Sequence, residues 1–152
     1  MNLKSKRSKR IWLILTILCT VGIAFSSSIE GDVSGEASRD IAAWLKGIFP
    51  FLYGLDLGFT NFLVRKAAHF FVFMVLAICL TNLLKFYIKG KIRLFFAAWL
   101  AASVYGIIDE IHQYFVPGRV CAIQDMLINS AGALVGVILV MFISKRRKKH
   151  EI

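Results

Sequence analysis

Two prolines in 152 residues, and nine acidic side chains against nineteen basic ones, are what this chain is short of. Scarce proline leaves long stretches free to be helical, because nothing in them removes an amide donor or clashes with the preceding turn. Charge is sparse too, at 18% of residues, while 58% are hydrophobic and the mean hydropathy is +0.69. Water-soluble domains run nearer half apolar, so an ordinary soluble fold is excluded. The three cysteines show no CxxC spacing, which rules out a disulfide scaffold or a thiolate metal centre of the usual kind. Cys19, Cys79 and Cys121 read instead as small apolar packing residues. Neither an HExxH motif nor a nucleophilic-serine motif occurs. No metal ligand set is assigned from the sequence, and no cofactor is specified by it.

What is present is blocked hydrophobicity. Four apolar runs, about 11–29, 62–84, 92–115 and 122–144, reach the roughly 20 residues needed to cross a ~30 Å hydrocarbon core. Backbone polar groups in lipid must be satisfied within the segment, so the expected fold is all-α. It is a single domain over 1–152, a four-helix transmembrane bundle. The third run carries Asp109 and Glu110, but Ile111, Tyr114 and Phe115 continue its apolar stripe, and the helix is expected to end near Pro117–Gly118.

The distribution of Lys and Arg sets the orientation. Fourteen of the nineteen lie at the amino terminus (4–10), in the 85–93 loop and in the tail at 145–149, giving that side +13 once Glu151 is counted. The other side carries Arg39, Lys46, Arg65, Lys66 and Arg119 against eight carboxylates, or −3. By the positive-inside rule both termini are cytoplasmic. The same division disposes of nucleic acid as a partner: three separate basic patches without interleaved aromatics suit anionic membrane lipids better. A cleaved signal peptide is the competing reading of the first run, with Ala24-Phe25-Ser26 as a loose cleavage pattern and three spans left behind. The length of the run favours a retained span.

The long connection between the first two spans is expected to be an extracytoplasmic interfacial segment. It opens polar and turns aromatic at Trp44, Phe49, Phe51, Tyr53 and Phe59, which suit the headgroup zone. Within it, Ser38 or Asp40 is expected to cap a short helix starting near Ile41.

Candidate functional residues gather at the outer end. Lys66 and His69 stand three apart on one helical face, Asp109, His112 and Gln113 at i, i+3 and i+4, and Asp125 and Asn129 at i and i+4. Glu110 points about 100° from Asp109 and is free to meet a base on another helix. Asp109 with His112 suits either a proton-carrying carboxylate–imidazole pair or two metal ligands. Arg119, in the Pro117-Gly118-Arg119 turn, has the planar donor fork that takes phosphate or carboxylate bidentately, and Lys66 offers a point charge. The competing reading is a structural network in which these cations only neutralise Asp109, Glu110 and Asp125. Gly132 and Gly136 form a GxxxG expected to serve intramolecular packing.

The elements Lys66-Ala67-Ala68-His69-Phe70, Asp109-Glu110 with Gln113, Pro117-Gly118-Arg119, and Asp125 with Asn129 occur in this order, preceded by Phe25-Ser26-Ser27. Together they resemble the VanZ-like family of bacterial membrane proteins over about residues 25–136. The resemblance implies a polytopic protein of the cell envelope, in the bacterial plasma membrane, with one member class associated with low-level resistance to the glycopeptide teicoplanin. It implies no settled reaction. Three functions follow as expectations. The first is an outer-facing site formed by Lys66, His69, Asp109, Glu110, Gln113, Arg119, Asp125 and Asn129 for an anionic or lipid-linked envelope ligand, such as a lipid-linked precursor or a glycolipid headgroup. The second is a membrane enzyme on such a lipid, with His69 or Asp109 as base, Glu110 or Asp125 as acid or metal ligand, and Arg119 as phosphate clamp. The third is a structural or partner-binding protein.

Overall fold

A computed structural model of the chain describes residues 3–150, with side chains described for 5–144. The side chains of Lys4, of the basic tail 145–149 and of Glu151, used above for orientation, lie outside the described residues. The described residues form five α-helices and one 3₁₀ turn, with no strand: α1 Leu3–Ser27, α2 Gly31–Ile48, the 3₁₀ turn Pro50–Leu52, α3 Leu57–Leu84, α4 Lys91–Tyr114 and α5 Ile123–His150. Four of them have apolar stretches long enough to cross a membrane, of 23, 28, 24 and 22 residues. At 1.5 Å per residue these are roughly 33 to 42 Å long.

The helix ends follow local chemistry. The Asp56 carboxylate accepts from the Phe59 amide at 3.1 Å and so caps α3. Gly90, at φ +96°, supplies the left-handed residue that lets the chain turn into α4. The α4 helix closes at Tyr114, three residues before the expected stop at Pro117, because Phe115 and Val116 wind tightly onto the carbonyls of His112 and Gln113. Gly118, at φ +71°, then makes the reversal into α5.

The expected short helix near Ile41 is instead the eighteen-residue α2, beginning ten residues earlier at Gly31. Neither Ser38 nor Asp40 caps it, and its N-cap residue Glu30 makes no side-chain cap bond. The missing local signal is replaced by a tertiary one. The Gly31 amide donates to the Pro117 carbonyl at 2.9 Å, and a Cβ on Gly31 would overlap the Gly118 carbonyl. Val33, Ala37 and Ile41 extend one face back to the start of the helix and line a cavity shared with α1 and α3. Trp44, Ile48, Phe51 and Tyr53 on the remaining surface are exposed.

The core lies between α1, α3, α4 and α5, built on Ile23, Phe73, Leu76, Ala77, Ala98, Ala102, Ala133 and Val137. Small residues dominate because lipid provides no hydrophobic drive between helices, so close backbone approach supplies the attraction. A Cβ on Gly132 would overlap the Phe70 carbonyl, and one on Gly136 the Met74 carbonyl. The GxxxG therefore seats α5 on α3 within the chain. Cys19 and Cys79 meet in the α1–α3 seam with Sγ atoms 4.0 Å apart as free thiols. The chain direction alternates through α1, α3 and α4, so the end of α1, the first turns of α3, the end of α4 and the start of α5 meet at one end of the bundle. At the other end Lys85 reaches Ser144 at 2.9 Å, and Lys9 stands 4.2 Å over the Tyr87 ring.

Candidate functional site

At the first of these ends the chain turns its polar groups inward. Asp109 and Asn129 lie five and six residues inside the ends of α4 and α5, a depth of roughly 8 to 9 Å at 1.5 Å per residue. Asp109, Glu110, Gln113 and Asn129 are all buried, and Glu110 and Asn129 are fully so. Buried polar groups at this depth need partners, since an unpaired one costs several kcal/mol in an apolar medium, on the order of 4–8.

Two rungs join α3 to α5. Lys66 Nζ meets Asp125 Oδ1 at 2.5 Å, and a turn deeper His69 Nδ1 meets Asn129 Oδ1 at 3.2 Å. The two helices run parallel here, so residues spaced three apart on one and four apart on the other stay in register. Lys66 also stands 5.0 Å over the Phe62 ring.

Glu110 faces this ladder from α4. Its Oε1 is 3.7 Å from His69 Nδ1, too far for a hydrogen bond, while Oε2 accepts from the Ala122 amide at 3.2 Å. Asp109 turns the other way, and Gln113 Nε2 spans the two acids at 3.0 Å to Asp109 Oδ2 and 3.4 Å to Glu110 Oε1, with Ser27 Oγ at 3.4 Å. The pairing of Asp109 with His112 expected from their spacing is not found: His112 is exposed, and the imidazole of the cluster is His69. One ligand atom from each of His69, Glu110 and Asp125 falls within 4.8 Å of the other two.

Arg119 has a different partner set from either sequence reading. Nε donates to the Ile29 carbonyl and Nη2 to the Ser26 carbonyl, both at 3.1 Å, so the guanidinium clips the α4–α5 turn to the α1–α2 link. Three of its five N–H groups stay uncommitted. Burial first, and then the neighbouring Arg65 cation, pull the Arg119 proton affinity below its ordinary value.

These groups open onto a cleft of about 320 Å³ lined by α1, α2, α3, α4 and the turn that carries Arg119. Its polar lining includes Ser26, Ser27, Arg65, His69, Asp109 and Arg119, and its apolar wall includes Ile23, Val33, Ile41, Val64, Val72 and Phe73. Lys66, Glu110, Asp125 and Asn129 stand behind that lining. Arg65 is the residue that sequence reasoning passed over. It was grouped with Lys66 as a helix-end charge, yet the 100° between neighbours on a helix sends Lys66 to α5 and Arg65 to the cavity. Among the described residues Arg65 has neither hydrogen bond nor ion pair. The adjacent basic pair was the available signal, since two successive charges on a helix cannot share one partner.

Compared with known families, residues 12–144 match the family model described as VanZ/LLP1. No curated protein and no solved structure matches the chain.

Proposed function

The chain belongs to the VanZ/LLP1 family and is a multi-pass membrane protein, and from that premise we propose that it binds an anionic, lipid-like ligand of the bacterial cell envelope. The observation that carries this reading is the cavity, in which an unpaired Arg65 and a partly committed Arg119 face apolar walls in one 320 Å³ space. Two like charges facing one space, Arg119 half-buried and Arg65 exposed, repel, and an anion between them relieves that repulsion. The apolar wall suits an acyl or prenyl chain, the guanidinium pair a phosphate or carboxylate. Asp109, held by Gln113, sets the polarity of the inner wall.

The proposed orientation follows the charge bias: both termini cytoplasmic, the cavity at the extracytoplasmic face, and α2 with the turn after it, through the exposed Trp44, Phe51 and Tyr53, lying in the outer interface. A ligand there would be a lipid-linked precursor or a glycolipid headgroup. A contribution to teicoplanin resistance follows if the protein occupies or remodels the outer-leaflet lipids among which that lipophilic drug sits. A second reading, an enzyme acting on such a lipid, is favoured by His69, which lines the cavity and lies 3.7 Å from the buried Glu110.

Teicoplanin susceptibility and membrane abundance measured together for Arg65→Ala and Asp109→Asn test the site. Loss of protection at normal abundance is expected for Arg65→Ala. Full protection in that variant contradicts the reading. Orientation is tested with Val120→Cys, an exposed position beside the turn, in a chain with its own cysteines replaced. A membrane-impermeant thiol reagent applied to intact cells is expected to label it, and labelling only in inverted vesicles refutes the outward-facing site.

A further inference from the structure

We propose that His69, Glu110 and Asp125 form a binding site for one divalent transition-metal ion of the zinc or manganese class. The three residues come from three helices, α3, α4 and α5 respectively, and one ligand atom from each lies within 4.8 Å of the other two. Metal bonds of about 2.1 Å place tetrahedral ligand atoms about 3.4 Å apart, so contraction by up to about 1.4 Å, within the reach of side-chain rotation, closes the set. Glu110 is fully buried, and the side chains of His69 and Asp125 are 16% and 13% exposed. The site is thus shielded from bulk water.

The charge balance asks for a cation. Lys66 neutralises Asp125, but among the described residues no cation donates a hydrogen bond to Glu110. Its close contacts are the Ala122 amide, the Gln113 amide at 3.4 Å and His69 at 3.7 Å. A divalent ion held by Glu110, Asp125 and a neutral imidazole would compensate the buried Glu110 carboxylate, and it would compete with the Lys66 ammonium for Asp125.

A second and independent sign is Asn129. It is fully buried, its Oδ1 touches His69 Nδ1 at 3.2 Å, and its Nδ2 has no partner. Nδ1 is also the ring nitrogen that lies 3.7 Å from Glu110, so it is the atom placed to bind the ion, and Asn129 Oδ1 beside it is a neutral oxygen able to complete the shell. One nitrogen with carboxylate oxygens suits zinc or manganese rather than calcium or magnesium, which prefer all-oxygen shells, and the absence of thiolate excludes copper(I).

This inference does not depend on the anion reading, because Arg65 and Arg119 take no part in it. Its test is zinc chloride or manganese chloride titrated into the full-length, tag-free protein in detergent after chelator treatment, followed by calorimetry and by metal analysis of the desalted protein. One ion per chain is expected. Glu110→Gln and Asp125→Asn are expected to weaken binding at least tenfold, and Lys85→Ala, at the opposite end of the bundle, to leave it unchanged. Lys66→Met is expected to tighten it at least threefold, because the ammonium and the ion compete for Asp125. A purely structural acid–base network predicts no such tightening. No retained ion in the unaltered protein, binding indifferent to both carboxylate changes, or weaker binding in Lys66→Met would each overturn the proposal. If the carboxylate variants do not accumulate, imidazole NMR of the unaltered protein decides. Of the three histidines, His69 must shift on adding zinc, and an unmoved His69 overturns the site.

Discussion

The two ends of the bundle use charge in opposite ways. Where the 85–93 loop joins α3 to α4, Lys85 and Lys9 are on the outside, one reaching Ser144 and the other lying over Tyr87. At the other end Glu110, Asn129 and Gln113 are buried, and Lys66 and Arg119 are drawn into contacts with other helices or turns. The outer charges need only water and headgroups. Each inward one needs a partner of defined position, and a cavity beside it makes that placement useful. The lesson is that the number of charges does not mark the site. The direction in which the helices turn them does.

The sharpest way to break the contrast is to separate α3 from α5 where both rungs depend on their close approach. Gly132→Val puts a branched side chain against the Phe70 carbonyl. Membrane abundance is expected to fall at least tenfold, a result read by immunoblot of membrane fractions. Val at the exposed Gly90 loop is not an equivalent control, because that residue needs its positive φ.

The next largest effect concerns the Lys66–Asp125 rung. Removing one member of a shielded ion pair strands the other, and with both partly wet the loss is about 2 kcal/mol rather than the 3–5 kcal/mol of a fully buried pair. Lys66→Met is therefore expected to lower the thermal midpoint of the metal-free protein, and adding Asp125→Leu to recover part of it. A double-mutant cycle by thermal unfolding in detergent measures the coupling. Additive single effects would remove the rung from the account.

Smaller still is the expected stability change in Arg65→Ala, within about 0.5 kcal/mol, since an exposed side chain without partners contributes little to folding. Its effect belongs to ligand binding alone. Lys85→Ala, an exposed position at the opposite end, is expected to be as small in stability and silent in binding. Equal loss of binding in these two variants would erase the distinction between the ends.

The sequence made the spans legible because blocked hydrophobicity records the bilayer directly: the third expected run, 92–115, falls within a residue of Lys91–Tyr114. It also placed Lys66 and His69 on one face, and Asp125 and Asn129 on another, because i, i+3 and i+4 geometry is local. Which face meets which is not local. Nothing near Arg119 announces that its fork will hold the Ser26 and Ile29 carbonyls, ninety residues away in sequence. The start of α2 was hidden for a related reason. Its Gly- and Ser-rich first half has weak helix propensity, and the amide that anchors it is satisfied by Pro117 from another part of the chain. Cys19 and Cys79 likewise look unrelated in sequence and meet only through the α1–α3 seam.

The central claim is that the cavity takes an anionic amphiphile through Arg65. Competition binding of a short-chain anionic phospholipid and its zwitterionic counterpart to the full-length protein in a neutral detergent tests it most directly. The account predicts at least a tenfold preference for the anionic lipid, abolished by Arg65→Ala and kept in Lys85→Ala. Equal affinity for the two lipids, or an anionic preference that survives Arg65→Ala, would contradict it.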